Sequence, residues 1–149
     1  MSAVRVDPGV IAHVEAHGRD AHPSECCGFL FGRLGTDGKT VVRAQRVDNS
    51  FEADERHHRF LITPEDFLRA EKQARAWRLD LVGFYHSHPD CPAVPSAYDL
   101  EHSWPVYSYF ITSVHADGPR ETRSWVQRED RSAFDEEQLE AVPGLDEET

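Results

Sequence analysis

Leu79-Asp80-Leu81-Val82-Gly83-Phe84-Tyr85-His86-Ser87-His88-Pro89 is the stretch from which the rest of the chain can be read. Its first seven residues are apolar except for Asp80 and rich in strand formers. They predict a largely buried strand. That strand runs directly into His86-Ser87-His88. In extended backbone, side chains at i and i+2 share a face, so the two imidazoles can converge on one ion.

Downstream, residues 89–95 form a Pro-rich loop, and Ser96 is expected to start a short helix to about Ser103. The connection from His88 is long enough to fold back and let Asp99 supply a third ligand. Two imidazoles and a carboxylate leave zinc's fourth tetrahedral position open, as a catalytic site requires. Ser96-Ala97-Tyr98-Asp99 is also a capping box, and the two readings can coexist. Hydrolysis at such a centre needs a base, and Glu25 sits at the mouth of the apolar run Cys26-Cys27-Gly28-Phe29-Leu30-Phe31-Gly32. A glutamate in a partly dry pocket suits that role, although spacing alone does not select Glu25 from the other glutamates.

The remaining pattern alternates strands and helices. Asp7-Pro8 reads as N-cap and N1 of a first helix, with Val10, Ile11 and Val14 on one face and Gly18 and Pro23 ending it. The N-terminus before it reads as leading straight into that helix. Cys26–Gly32 predicts a strand, Gly35–Lys39 a turn and Thr40-Val41-Val42 the return strand of a hairpin. Residues 48–58 read as a polar loop and Phe60-Leu61-Ile62 as a short strand. Thr63-Pro64-Glu65-Asp66 is a strong start for a second helix, ending near Arg78. Residues 107–114 and 121–127 predict two further strands, and the whole predicts a mixed α/β or α+β domain over residues 1–127.

Composition narrows the function. The chain has 149 residues and a formal charge of -11. Nine acids against two arginines fall within residues 128–149, a net of -7 that leaves -4 for residues 1–127. That segment is expected to be an acidic C-terminal tail, partly disordered. The chain lacks the basic footprint of a nucleic-acid binder. It also lacks an apolar run of the ~20 residues a membrane span needs and the apolar core of a signal peptide, so the cytoplasm is the expected compartment. The three cysteines form no CxxC pair; Cys26-Cys27 reads as small buried strand residues, and Cys91 has no evident base.

Glu25, followed by His86-Ser87-His88, seven residues, Ser96, two residues and Asp99, resembles the JAMM signature of the JAB1/MPN/Mov34 metalloprotease family. Pro23-Ser24-Glu25-Cys26-Cys27-Gly28 is similar to the family's glutamate-bearing strand start. His88-Pro89-Asp90 followed by Pro95-Ser96 resembles its short bacterial branch. The resemblance covers about residues 4–127. It implies an MPN-like single domain, a curved mixed β-sheet flanked by helices, with one catalytic zinc ion. It assigns His86, His88 and Asp99 as metal ligands, Glu25 as general base and Ser96 as oxyanion donor. The implied activity is peptidase or isopeptidase cleavage after the C-terminal Gly-Gly of a small ubiquitin-like, sulfur-carrier protein.

Two other classes compete. Some relatives of this fold are protein-binding scaffolds that have lost the ligands, whereas this chain keeps all of them. A zinc deaminase would carry PCxxC, which is absent here. His102 is near enough in sequence to stand behind a ligand. His57-His58 reads as part of a solvated loop, and Trp104, Tyr107 and Tyr109 as core and rim. Oligomeric state is not expressed in the pattern.

Overall fold

β-Branched and aromatic runs separated by three helices build a mixed sheet that curls on itself. A computed structural model of the chain describes residues 2–36, 38–47 and 63–145. The elements in order are β1 (Ala3–Val6), α1 (Pro8–Ala21), β2 (Cys27–Gly35), β3 (Gly38–Val47), α2 (Pro64–Trp77) and β4 (Asp80–Pro89), then α3 (Ala97–His102), β5 (Ser108–His115), β6 (Gly118–Gln127) and β7 (Phe134–Ala141). Strands neighbour one another in the order β1-β3-β2-β4-β5-β6-β7, and β1 pairs with β7 to close the barrel. The β1–β3, β1–β7 and β4–β5 pairs are parallel and the others antiparallel. This is the curved mixed sheet that the sequence implies, carried to closure. No helix among the described residues is long and apolar enough to cross a membrane.

Two apolar clusters line opposite faces of the sheet. Val10 and Val14 of α1 pack with Val4, Val6, Leu30, Val82, Tyr85 and Phe110. Ala70 and Ala74 of α2 pack with Phe29, Phe31, Leu81, Phe84 and Tyr109. Alternation along β4 therefore sends Tyr85 toward α1 and Phe84 toward α2. Continuing that alternation puts His86 and His88 on the Phe84 face.

The second helix begins as expected. Thr63 accepts from the Asp66 N–H while Asp66 accepts from the Thr63 N–H, a complete capping box with Pro64 at the first position. Arg78 closes it in the left-handed conformation.

Four expectations change. The residues before Asp7 are a strand, β1, because Val4 and Val6 are fully buried between β3 and β7. Gly18 does not end the first helix, which continues to Ala21. A Cβ at Gly18 would lie 2.7 Å from Val114 Cγ2, so the glycine serves the close approach of α1 to β5. The last hairpin strand, β6, starts at Gly118 rather than Glu121. Finally, Phe134–Ala141 of the expected acidic tail is strand β7, paired to both β6 and β1. Three of its four acids meet cations: Arg123 clasps Glu136 at 2.7 and 2.8 Å, Arg128 binds Asp135, and Lys39 lies 3.5 Å from Glu137. The loop over 48–58, the strand at Phe60–Ile62 and His57-His58 lie outside the described residues.

Candidate metal centre

His86 and His88 are the last inward pair of β4, which remains extended to Pro89. Their side chains are buried, 1% and 7% exposed. The parallel neighbour β5 sets Ile111 beside His86 and Ser113 beside His88. Asp99 reaches the same point from the first turn of α3. Ser96 is the N-cap of that helix: its Oγ accepts from the Asp99 N–H at 3.1 Å, and Asp99 Oδ2 accepts from the Ser96 N–H at 2.8 Å. The capping box thus fixes the Asp99 rotamer, so the structural reading of Ser96–Asp99 is realised and leaves Asp99 free to face the two histidines.

The three side chains meet closely. His86 Nε2 and His88 Nε2 are 3.1 Å apart, His88 Nε2 lies 3.1 Å from Asp99 Oδ2, and His86 Nε2 lies 3.2 Å from Asp99 Oδ1. Donors held at zinc's usual bond lengths in a tetrahedron stand ~3.3 Å from one another. The tautomer agrees, because His88 Nδ1–H donates to the Pro92 carbonyl at 3.0 Å and turns the Nε2 lone pair inward. With Nε2 unprotonated on both rings, two lone pairs and a carboxylate aimed at one point repel unless a cation sits among them. The residues present therefore fit a divalent ion with nitrogen and oxygen ligands. Among the described residues this is the one group of three such side chains within mutual reach.

Electrostatics follow from burial and proximity. Burial favours neutral His86 and lowers its pKa, outweighing the pull of Asp99. Burial also works against a charged His88, but the hydrogen bond to Asp99, the Asp99 charge, the Pro92 carbonyl and the Glu25 charge together raise it. Desolvation would raise Asp99 too, yet the two imidazoles hold its carboxyl well below the usual carboxylate range. The ligand set is thus an ionised acid facing two imidazoles, one biased neutral by burial.

Glu25 is 6% exposed, just before β2, and close enough for its charge to act on His88. The chain holds it there through Ser87, the residue between the two histidines. The Cys26 N–H donates to Ser87 Oγ at 2.9 Å, and the Ser87 N–H donates to the Cys26 carbonyl at 3.1 Å. Sequence reasoning gave Ser87 no such role; a hydroxyl inside an otherwise apolar buried strand was the available signal, since it requires a partner. Cys26 and Cys27 are buried as expected.

His102 is not part of the group. Its Nδ1–H donates to the Tyr98 carbonyl, its ring stacks on Tyr98, and it faces a neighbouring apolar cavity of about 830 Å³. Phe67, Leu68, Phe84, Trp104 and Tyr109 also line that cavity, and none of Glu25, His86, His88, Ser96 or Asp99 does. Trp104 is 58% exposed at its rim and Tyr109 is buried. Cys91 is an exposed free thiol.

The chain is similar to known proteins over most of its length. Residues 8–128 match the family described as prokaryotic homologs of the JAB domain. A desampylase of Haloferax volcanii is 36% identical over 123 residues, covering 82% of this chain and 84% of the relative. The solution structure of protein DSY2949 from Desulfitobacterium hafniense superposes with a TM-score of 0.83 at 30% identity, over 97% of this chain and 96% of the other. A JAB1/MPN domain protein from Archaeoglobus fulgidus, 18% identical, shares the fold with a TM-score of 0.58 over 93% and 98% of the two chains.

Proposed function

The chain belongs to the prokaryotic homologs of the JAB domain, and from that premise we propose that it is a zinc-dependent isopeptidase acting after the C-terminal Gly-Gly of a small ubiquitin-like protein. The observation that carries the reading is the triangle of His86 Nε2, His88 Nε2 and Asp99, with sides of 3.1–3.2 Å, and a buried glutamate beside it. The desampylase relative supports the substrate class, because such enzymes remove a small ubiquitin-like modifier.

His86, His88 and Asp99 would hold the ion. When bound, zinc supplies Lewis acidity, activating a water and polarising the scissile carbonyl. Glu25 takes the proton from the attacking water and returns it to the departing amine, the task of a carboxylate in a partly dry pocket. Ser96 keeps its own hydroxyl proton while accepting from Asp99 N–H, so it donates to the oxyanion that develops on the carbonyl. Ser87 keeps Glu25 in register with the two histidines.

The test is incubation with ubiquitin-like proteins joined past Gly-Gly to a lysine, read by mass spectrometry. Cleavage at the Gly-Gly bond that stops with a chelator and resumes with zinc is expected. Glu25→Gln is expected to bind zinc as the parent does and to lose turnover. Turnover that survives in Glu25→Gln removes Glu25 from the chemistry. Stoichiometric zinc with no cleavage of any such conjugate makes the protein a binding scaffold instead.

A further inference from the structure

The backbone of the segment between His88 and Asp99 is tied down at three consecutive carbonyls. Ser113 Oγ of β5 donates to the Cys91 carbonyl at 2.5 Å. His88 Nδ1 of β4 donates to the Pro92 carbonyl at 3.0 Å. Trp125 Nε1 of β6 donates to the Ala93 carbonyl at 3.0 Å. Ala93 is fully buried by this arrangement. A fourth bond reaches α3 itself, where Gln127 Nε2 of β6 donates to the Leu100 carbonyl at 2.8 Å.

The helix needs these ties. At six residues α3 is far shorter than a helix that persists by its own hydrogen bonds. The carbonyls of its last turn have no partner inside it. Its capping box orients Asp99 relative to Ser96, but nothing in that box places the helix relative to β4. The placement comes from the sheet, from β4 and β5 through Pro92 and Cys91 and from β6 through Ala93 and Leu100. Trp125 stands beside Tyr109 in the register, on the face of the sheet that carries His86 and His88. The Arg123 guanidinium lies 4.9 Å over its ring and holds the indole in place.

We propose that Trp125 and Gln127 are positioning residues for the metal centre, fixing the loop and α3 so that Asp99 closes the triangle with His86 and His88. The inference rests on the reading of those three side chains as zinc ligands. It extends to residues two strands away that lie outside the group of three ligands. His88 makes the coupling direct, because the same ring offers Nε2 to the ligand triangle and Nδ1–H to the loop. A loop that shifts changes the aim of one ligand and the distance of another.

The experiment measures the zinc dissociation constant of the full chain by competition with a chromophoric chelator, alongside melting of the metal-free and zinc-loaded protein. Trp125→Phe keeps a ring beneath Arg123 and deletes the donor. Gln127→Leu keeps the volume and deletes the other donor. Each is expected to raise the zinc dissociation constant about 10- to 100-fold, the usual loss when a group behind a ligand is removed. The melting temperature gained on adding zinc shrinks accordingly.

A merely structural role would lower metal-free and zinc-loaded melting equally and leave the dissociation constant of the folded chain unchanged; that result overturns the inference. A parent chain that takes up no zinc overturns the reading beneath it as well, so the two failures are distinguishable. Should Trp125→Phe not fold, Gln127→Leu and Ser113→Ala carry the test with the same threshold.

Discussion

Asp99 and Glu137 are carboxylates buried to the same extent, each 3% exposed, and the fold surrounds them with opposite chemistry. Glu137 Oε1 accepts from Ser108 Oγ at 2.7 Å and Ser124 Oγ at 2.8 Å, while its Oε2 lies 3.5 Å from Lys39 Nζ. Lys39 in turn donates to the Val106 carbonyl and to Ser108. Donors and a positive charge meet that acid on both oxygens, so the cluster is complete in itself. Asp99 instead faces the Nε2 atoms of two imidazoles, a set of donor atoms that a cation would complete. A buried acid met by hydroxyls and an ammonium fastens strands, and a buried acid set against two imidazoles is a candidate metal ligand. Each cluster predicts a different loss when it is broken.

The largest loss is expected for Asp99→Asn. The amide oxygen still accepts the Ser96 N–H, so the cap and the metal-free stability persist. The ligand charge is gone, and zinc affinity falls by more than the ~100-fold lost when a group behind a ligand is removed. Cleavage falls with it. Parent-like affinity in the chelator competition would erase the distinction between the two acids.

Ser96→Gly separates two duties of one residue. Glycine at the N-cap costs only a few tenths of a kcal/mol relative to serine, about a quarter of the ~1 kcal/mol lost with alanine. Loss of the hydroxyl as oxyanion donor costs about 10²- to 10³-fold in kcat. Urea unfolding close to the parent together with that drop in kcat is the expected pair of results. A kcat that follows stability alone reduces Ser96 to a cap.

Lys39→Met opens the other cluster. Methionine fills the stem's volume and leaves the Glu137 charge with two hydroxyls and no ammonium. Breaking a buried pair from one side costs about 3 kcal/mol, toward the lower end because Lys39 keeps 19% exposure. Urea unfolding should show it, with the zinc dissociation constant unchanged. Loss of zinc without loss of stability would invert the assignment.

The same contrast explains what could be read in advance. β4, α2 and α3 announced themselves because their signals are local: an apolar run, two capping boxes and a pair of histidines in alternation. Glu25 was singled out by resemblance and not by spacing, since the Cys26–Ser87 tie that seats it spans 61 residues of sequence. β1 was hidden by its length of four residues and by partners, β3 and β7, that are distant in sequence. β7 was hidden by composition. Asp135, Glu136, Glu137 and Glu140 have poor strand propensity, and the cations beside the first three, Arg128, Arg123 and Lys39, offset it. Trp125 and Gln127 gave no more than the general hint that an indole N–H near a core needs an acceptor.

Glu136 offers the finest test of how β7 is held. Its carboxylate takes both hydrogen bonds of the Arg123 fork from the neighbouring strand, at 2.7 and 2.8 Å, but the pair is about one-third exposed. That bidentate bond lowers the Glu136 pKa below its ordinary value. The sign follows: a depressed folded-state pKa gives stability that is present above the unfolded pKa and lost as pH falls through the folded one. Water and salt screen a pair this exposed, so Glu136→Gln should cost less than about 1 kcal/mol near neutral pH. The difference from the parent should vanish in acid and shrink in high salt, where the Debye length falls to a few ångströms. A cost that instead persists through both would mean that Glu136 acts through packing, leaving charge pairing on β7 to Glu137 alone among the acids it buries.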